Sequence, residues 1–161
     1  MINYFCLVVP KMKLENKIPP PIIALITGII ISASSAIVTP FHIYGIKFIA
    51  ILLIACSFLI IILSIKKFKK ENTTINPMDP NQTIKLVASG IFAISRNPMY
   101  LGLAGILIGI ALFLQAWLGF VAVPIFIMYI NKYQIAPEEK ILKQKFKEEY
   151  IDYCKKVKRW I

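Results

Sequence analysis

Two polar stretches in an otherwise apolar chain of 161 residues carry side chains suited to chemistry. The first is Arg96-Asn97-Pro98, with Tyr100 close behind. Asparagine is a strong N-cap and proline is favoured at the first helical position, so a helix is predicted to begin there. Free backbone donors, the positive end of a helix dipole and a guanidinium then meet at one point, which suits a carboxylate or phosphate. The same residues also fit an arginine that reaches for lipid head groups beside a helix end. The second stretch is Pro137-Glu138-Glu139. Glu138 precedes Ile141 and Leu142 by three and four residues and so falls on an apolar stripe. A carboxylate placed there needs a cation, a hydrogen-bonding ligand or the membrane interface, unless it serves as a water-accessible helix cap. Glu139 precedes Lys143 by four, the spacing of an ordinary surface ion pair.

The elements that must position these residues are membrane spans. A net charge of +11 and 58% hydrophobic residues, with only 17% charged, exclude an ordinary soluble domain, which carries about 25% charged residues. Apolar runs predict spans over 22–38, 45–65, 98–114 and 116–130. The last two form a helical hairpin that turns around Gln115, Trp117 and Gly119. The fold class is therefore an all-α integral membrane protein of about four transmembrane helices, read as one domain over 1–161 with no room for a separate nucleotide-binding domain. Charge gathers before the first span (+2), after the second (+4) and after the fourth (+4). By the positive-inside rule both termini and the long segment 72–97 face the cytoplasm.

Segment 72–97 opens with the turn-forming composition Asn72 to Asn81 and is predicted to be irregular there. In the third span Gly102, Gly105 and Gly109 lie on nearby faces, and close helix packing is the preferred explanation over ligand contact. Trp117, Tyr129 and Tyr133 fall near span ends as interface anchors. From Pro137 onward, apolar residues recur at steps of three and four, predicting an amphipathic helix over 137–158. Lys155, Lys156, Lys158 and Arg159 with Trp160 read as attachment to anionic lipid. Cys6, Cys56, Cys154 and the single His42 supply neither a disulfide framework nor a metal site. The basic residues flank apolar spans, which argues against a nucleic-acid partner. Met1 to Pro10 has no basic residue before its apolar patch and does not read as a cleaved signal peptide.

Leu86-Val87-x-x-Gly90-x-Phe92-x-x-x-Arg96-Asn97-Pro98-x-Tyr100-x-Gly102, then an apolar hairpin, then Glu138-Glu139-x-x-Leu142-x-x-x-Phe146-x-x-x-Tyr150-x-x-Tyr153-x-x-x-Val157-x-Arg159 form one ordered pattern. It resembles the isoprenylcysteine carboxyl methyltransferase and phospholipid methyltransferase superfamily over 74–161. The stretches Thr74-Ile75-Asn76-Pro77 and Tyr133-Gln134-Ile135-x-Pro137 look like its bacterial branch. The resemblance implies an integral enzyme of a bacterial-type inner membrane that uses S-adenosylmethionine, bound at the cytoplasmic face. It implies cofactor contacts at Leu86, Val87, Gly90, Phe92, Arg96, Asn97, Pro98, Tyr100 and Glu138. Arg96 or the helix start would take the methionine carboxylate, Glu138 the ammonium or ribose hydroxyls, and backbone around Leu86 to Gly90 the adenine. Gln134 is the candidate acceptor contact, and Arg96, Tyr100 and Glu139 are the catalytic candidates. Three positions depart from the commonest pattern: Asn97 replaces histidine, Phe92 replaces tyrosine, and Lys147 stands where glycine usually follows the phenylalanine.

The partners so implied are the lipid bilayer and a hydrophobic or lipid-attached methyl acceptor. A carboxylate acceptor is already ionised at neutral pH, whereas an amine must first lose a proton. With no histidine near the motifs, O-methylation is favoured over phospholipid N-methylation. A nicotinamide-dependent membrane reductase and a non-enzymatic membrane protein are the competing classes.

Overall fold

The computed structural model describes residues 18–71 and 85–161, and within them the chain is helical with no strand. The turn-forming segment Asn72 to Asn81 lies outside the described residues. Helix α1, Pro20–Ile37, starts on Pro20 at its first position and stops before Pro40. Its hydroxyls are turned inward on the helix itself: Thr27 and Ser32 donate to carbonyls four residues back, and Ser34 and Ser35 to carbonyls three back, at 2.7–2.8 Å. That self-satisfaction lets a serine-containing helix sit in hydrocarbon. Helix α2, Ile46–Lys70, runs through the lysines that were expected to end it at 65. Cations in its last turn face the negative end of the dipole, which favours the continuation.

Helix α3, Pro98–Phe113, begins where Asn97-Pro98 predicts. Gln115, at φ 54, turns the chain, and α4, Gly119–Ile130, returns it. The turn is stitched to the loop between α1 and α2: Phe41 N–H donates to the Gln115 carbonyl (3.1 Å) and Gln115 Nε2 to the Ile43 carbonyl (3.2 Å). Among the described residues three helices are long and apolar enough to cross a membrane, α1, α2 and the continuous helix Gly119–Lys156 that α4 opens, and α3 is a shorter apolar helix. The start of α1, the end of α2, the start of α3 and the end of α4 share one end of the bundle. Helix α3 is the central element, packed on α1, α2 and α4. Ile31, Leu107, Phe126 and Ile130 form the core, while Leu25, Phe48, Phe120 and Met128 point outward as lipid-facing surface.

The glycines of α3 explain how closely it meets α2. A Cβ added at Gly102 would lie 2.9 Å from the backbone carbonyl of Ser57, and Gly105 and Gly109 press on Ser57 and Ile54 just as tightly. Close packing, the expected reading, is what the stripe does. Gly102→Val is expected to destabilise the bundle by about 2 kcal/mol, since the carbonyl it meets cannot rotate away. A thermal melt of the detergent-purified protein checks this, and an unchanged melting temperature contradicts the contact.

The amphipathic helix differs from the expected 137–158 in two ways. It does not start at Pro137: α4 continues through a π-helical turn, Asn131–Ile135, directly into α5, Ala136–Lys156. Ala136 N–H bonds five residues back to Asn131, and the widened turn relieves the clash that the Pro137 ring would bring to a regular helix. Helix α5 also bends inside, at Lys147, with φ 44 and ψ −118. That conformation favours glycine, which accounts for the glycine usual at this place in the resembling pattern. Lys147→Gly is expected to stabilise the protein by about 1 kcal/mol, read as a rise in melting temperature. From Glu138 to Lys156 the helix is too rich in charge to enter hydrocarbon, so α5 lies outside the spans.

Candidate functional site

At the shared end of the bundle α1, α2, α3, α5 and the segment before α3 enclose a cavity of about 360 Å³. Eight of the nine residues expected at a cofactor line it: Leu86, Val87, Phe92, Arg96, Asn97, Pro98, Tyr100 and Glu138. The ninth, Gly90, is not on its wall. With φ 68 it opens a 3-10 turn, Gly90–Ala93, so its contribution is the turn that aims Phe92 inward. Phe92 packs edge-on against Phe68 of α2, ring centres 4.8 Å apart, and its carbonyl accepts a 2.6 Å bond from the Tyr153 hydroxyl.

Glu138 reaches the cavity from the first turn of α5, as its place on the apolar stripe implied. Tyr100 Oη donates to it at 2.5 Å, and among the described residues it has no ion pair. Burial pushes its carboxyl up to about 8, against the pull of the tyrosine hydrogen bond. The site therefore holds a carboxyl group that a cation would convert to carboxylate.

Glu139 is not the surface partner of Lys143. It lies between two guanidiniums: Arg96 Nη2 donates to Oε1 at 2.8 Å, and Arg159 donates through Nη2 to Oε2 and through Nε to Oε1. Burial raises this carboxyl, but the hydrogen bonds from Arg159 and Arg96 outweigh it and hold the group below its ordinary value. For Arg96 burial opposes the charge and Glu139 prevails, keeping it more firmly protonated.

Arg96 is consequently anchored rather than free. Nη1 donates to the carbonyls of Val157 (2.9 Å) and Cys154 (3.4 Å), its backbone N–H bonds to Lys158, and only Nε is buried without a partner. Asn97 occupies the N-cap position of α3, yet its side chain makes no cap bond. Its Nδ2 donates instead to the Arg159 carbonyl at 3.0 Å, which also accepts from Ser95. The residues after α5 thus strap the start of α3. Arg159 and Trp160, expected at the lipid surface, are structural: Trp160 packs on the core and donates to Asn131 Oδ1 at 3.2 Å.

Gln134 does not reach the cavity. It is fully buried in the π turn and donates to the Ile18 carbonyl at 2.9 Å, tying the start of α1 to the end of α4. The cavity gains residues that sequence reasoning did not assign to it: Pro20 and Pro21 from α1, Ile61, Ile65 and Phe68 from α2, Met99 and Leu103 from α3, Leu142, Tyr150 and Tyr153 from α5, and Lys85, which pairs with Glu71 at 2.7 Å. Tyr150, Tyr153 and Leu142 were visible on the apolar stripe of α5. The inward faces of α1 and α2 gave no signal, because both helices are apolar all round.

Residues 46–149 match the family model described as phospholipid methyltransferase. A Haemophilus influenzae protein described as uncharacterized is similar, 48% identical over 63 residues, which is 39% of this chain and 100% of that protein. No solved structure matches.

Proposed function

Because the chain belongs to the phospholipid methyltransferase family, a family of membrane methyltransferases, we propose that its cavity binds S-adenosylmethionine and transfers the methyl group to a hydrophobic or lipid-attached acceptor. The observation that carries this reading is Glu138, a carboxyl with no ion pair among the described residues, in a cavity whose walls are mainly apolar and aromatic. The residues present fit the cofactor. Glu138 suits its ammonium, the backbone donors at the start of α3 suit its carboxylate, and Phe92, Leu86 and Val87 offer flat and apolar surface to adenine. Arg96, committed to Glu139 and the residues after α5, supports the carboxylate end through position and field, with only Nε free to donate.

When bound, S-adenosylmethionine supplies an electrophilic methyl carbon. The chain's share is to align the acceptor with that carbon and to keep water out, which the apolar walls do. An ionised carboxylate acceptor needs no base, in keeping with a Glu138 engaged by the cofactor. A phospholipid amine is the second reading, favoured by the same raised carboxyl acting as proton acceptor. The lysines at the end of α2 and in α5 gather at the cavity end, supporting a cytoplasmic site.

The direct test is S-adenosylmethionine binding, against NADPH, by the folded detergent-purified protein. Saturable binding of the former alone is expected, and its absence rejects the reading. The binding has a definite pH sign. Below about 8 the empty site holds a proton on Glu138 that the incoming cation must displace, so affinity rises with pH from 6 towards 8. An α-amino group itself loses its proton at about 8, so affinity levels there. Calorimetry across this range checks the slope, and a flat profile removes Glu138 from the cation.

A further inference from the structure

The wall of the cavity carries two carboxyl groups among the described residues, Glu138 and Glu139, and they are not equally open to a ligand. Glu139 is taken by Arg96 and Arg159. Glu138 meets only the Tyr100 hydroxyl and has no ion pair among the described residues. S-adenosylmethionine brings two positive centres, an ammonium and a sulfonium. With Glu138 on the ammonium, the sulfonium faces a wall that has no uncommitted carboxylate left. A cation stripped of water there needs a neutral partner with negative charge to offer, and the face of an aromatic ring is such a partner.

Five aromatic side chains line the cavity: Phe68, Phe92, Tyr100, Tyr150 and Tyr153. Their surroundings set them apart. Phe68 and Phe92 are packed edge-on at 4.8 Å, so that pair spends a ring face on itself. Tyr150 and Tyr153 are paired in the same way at 6.2 Å, and both lie in the field of the Arg96 guanidinium, which repels a further cation. Tyr100 belongs to no ring pair among the described residues, and its hydroxyl donates to Glu138 Oε1 at 2.5 Å. A phenol that gives a hydrogen bond to a carboxylate is richer in electrons over its ring. Only a short carbon chain separates the ammonium from the sulfonium, so a cofactor anchored at Glu138 brings its sulfonium within the ~6 Å over which a ring attracts a cation.

We infer that the ring of Tyr100 is the contact for the sulfonium, an assignment that rests on the S-adenosylmethionine reading and makes Tyr100 the residue that tells the charged cofactor from its spent form. When the methyl group leaves, the pair of electrons that bound it stays on sulfur. The sulfonium becomes a neutral thioether, and the attraction to the ring is lost. Glu138 meets the ammonium common to both forms and so holds both. Release of the spent cofactor is therefore favoured from the ring side of the cavity.

The test is calorimetry of the full-length detergent-purified protein with three ligands: S-adenosylmethionine, S-adenosylhomocysteine, and an analogue with an ammonium in place of the sulfonium. The wild type is expected to bind the two charged ligands about tenfold more tightly than the thioether. Position 100 then carries phenylalanine and its successively fluorinated derivatives, which keep the ring's shape while drawing charge from its face. Affinity for the charged ligands should fall with each fluorine, by about tenfold over the series, while affinity for the thioether holds. Tyr100→Leu removes the face and should bring charged and neutral ligands to equal affinity. Tyr100 is a core residue, so the fluorinated rings decide the matter should Tyr100→Leu fail to fold. Equal wild-type affinity for charged and neutral ligands, or a loss across the series shared by all three, overturns the assignment. So does discrimination that survives Tyr100→Leu and fails in Phe92→Leu, which would move the sulfonium to the opposite wall. A folded wild type that binds none of the three rejects the S-adenosylmethionine reading itself, whereas binding without discrimination rejects the ring alone.

Discussion

Glu138→Gln is expected to weaken S-adenosylmethionine binding at least about 100-fold, or ~2.7 kcal/mol, while leaving the protein folded. Glutamine keeps the shape and the acceptor for Tyr100 but not the charge. In the wild type one neutral hydrogen bond holds the carboxyl in the cavity and, among the described residues, no cation pairs with it, so its negative form is available to a ligand. Since burial already disfavours that charge, removing it relieves the empty protein and penalises only the bound state. Melting temperature should therefore hold or rise as binding is lost. The rise of affinity with pH should vanish in the same variant. Tyr100→Phe, which removes the hydrogen bond but not the charge, should cost about tenfold or less. Binding by Glu138→Gln at wild-type strength would move the cofactor's cation to another partner.

Arg96→Ala is expected to act in the opposite order, through the fold first. Its side chain is 13% exposed and the Glu139 carboxylate 17%, and the guanidinium joins α5, the residues after it and the start of α3. Truncating it leaves a partly buried carboxylate with Arg159 alone and two carbonyls without their donor, a loss of about 3 kcal/mol. Cofactor binding falls as a consequence, because the start of α3 is no longer strapped. Arg159→Ala should be milder, about 1 kcal/mol, since that side chain is 40% exposed. A thermal double-mutant cycle of Arg96→Ala with Glu139→Ala reads the coupling directly, and additive effects would contradict the ion pair. An unchanged melting temperature with lost binding would instead return Arg96 to direct contact with the cofactor.

The two glutamates show what a sequence can and cannot disclose. Glu138 was legible because the i+3 and i+4 rule is local, and the stripe that half-buries Ile141 and Leu142 turns it inward too. The same rule applied to Glu139 pointed to Lys143, because helical arithmetic sees only neighbours. Its real partner Arg96 stands 43 positions earlier, and nothing local announces that. Asn97-Pro98 marked the start of α3 correctly, since proline at the first position is a backbone constraint. The destination of the asparagine side chain depended on a carbonyl 62 positions later and was not readable. Gln134 went astray similarly, its partner Ile18 being 116 positions away. The turn at Gln115 was legible from an interruption in a charge-free run. The faces that α1 and α2 show the cavity were not, as a helix that is apolar all round carries no directional signal.

The strap over the start of α3 also bears on the order in which this protein can be made. Helices α1, α2 and α3 all end by Phe113, far enough ahead of Val157, Lys158 and Arg159 to leave the ribosome before those residues do. Until then Arg96 lacks two of its acceptors, the carbonyls of Val157 and Lys158, and Glu139 one of its two arginines. Membrane insertion and completion of the site are therefore successive events. The carboxyl-bearing cavity closes only after α1, α2 and α3 are available to the bilayer, so an unfinished chain can be anchored in lipid without exposing a working site.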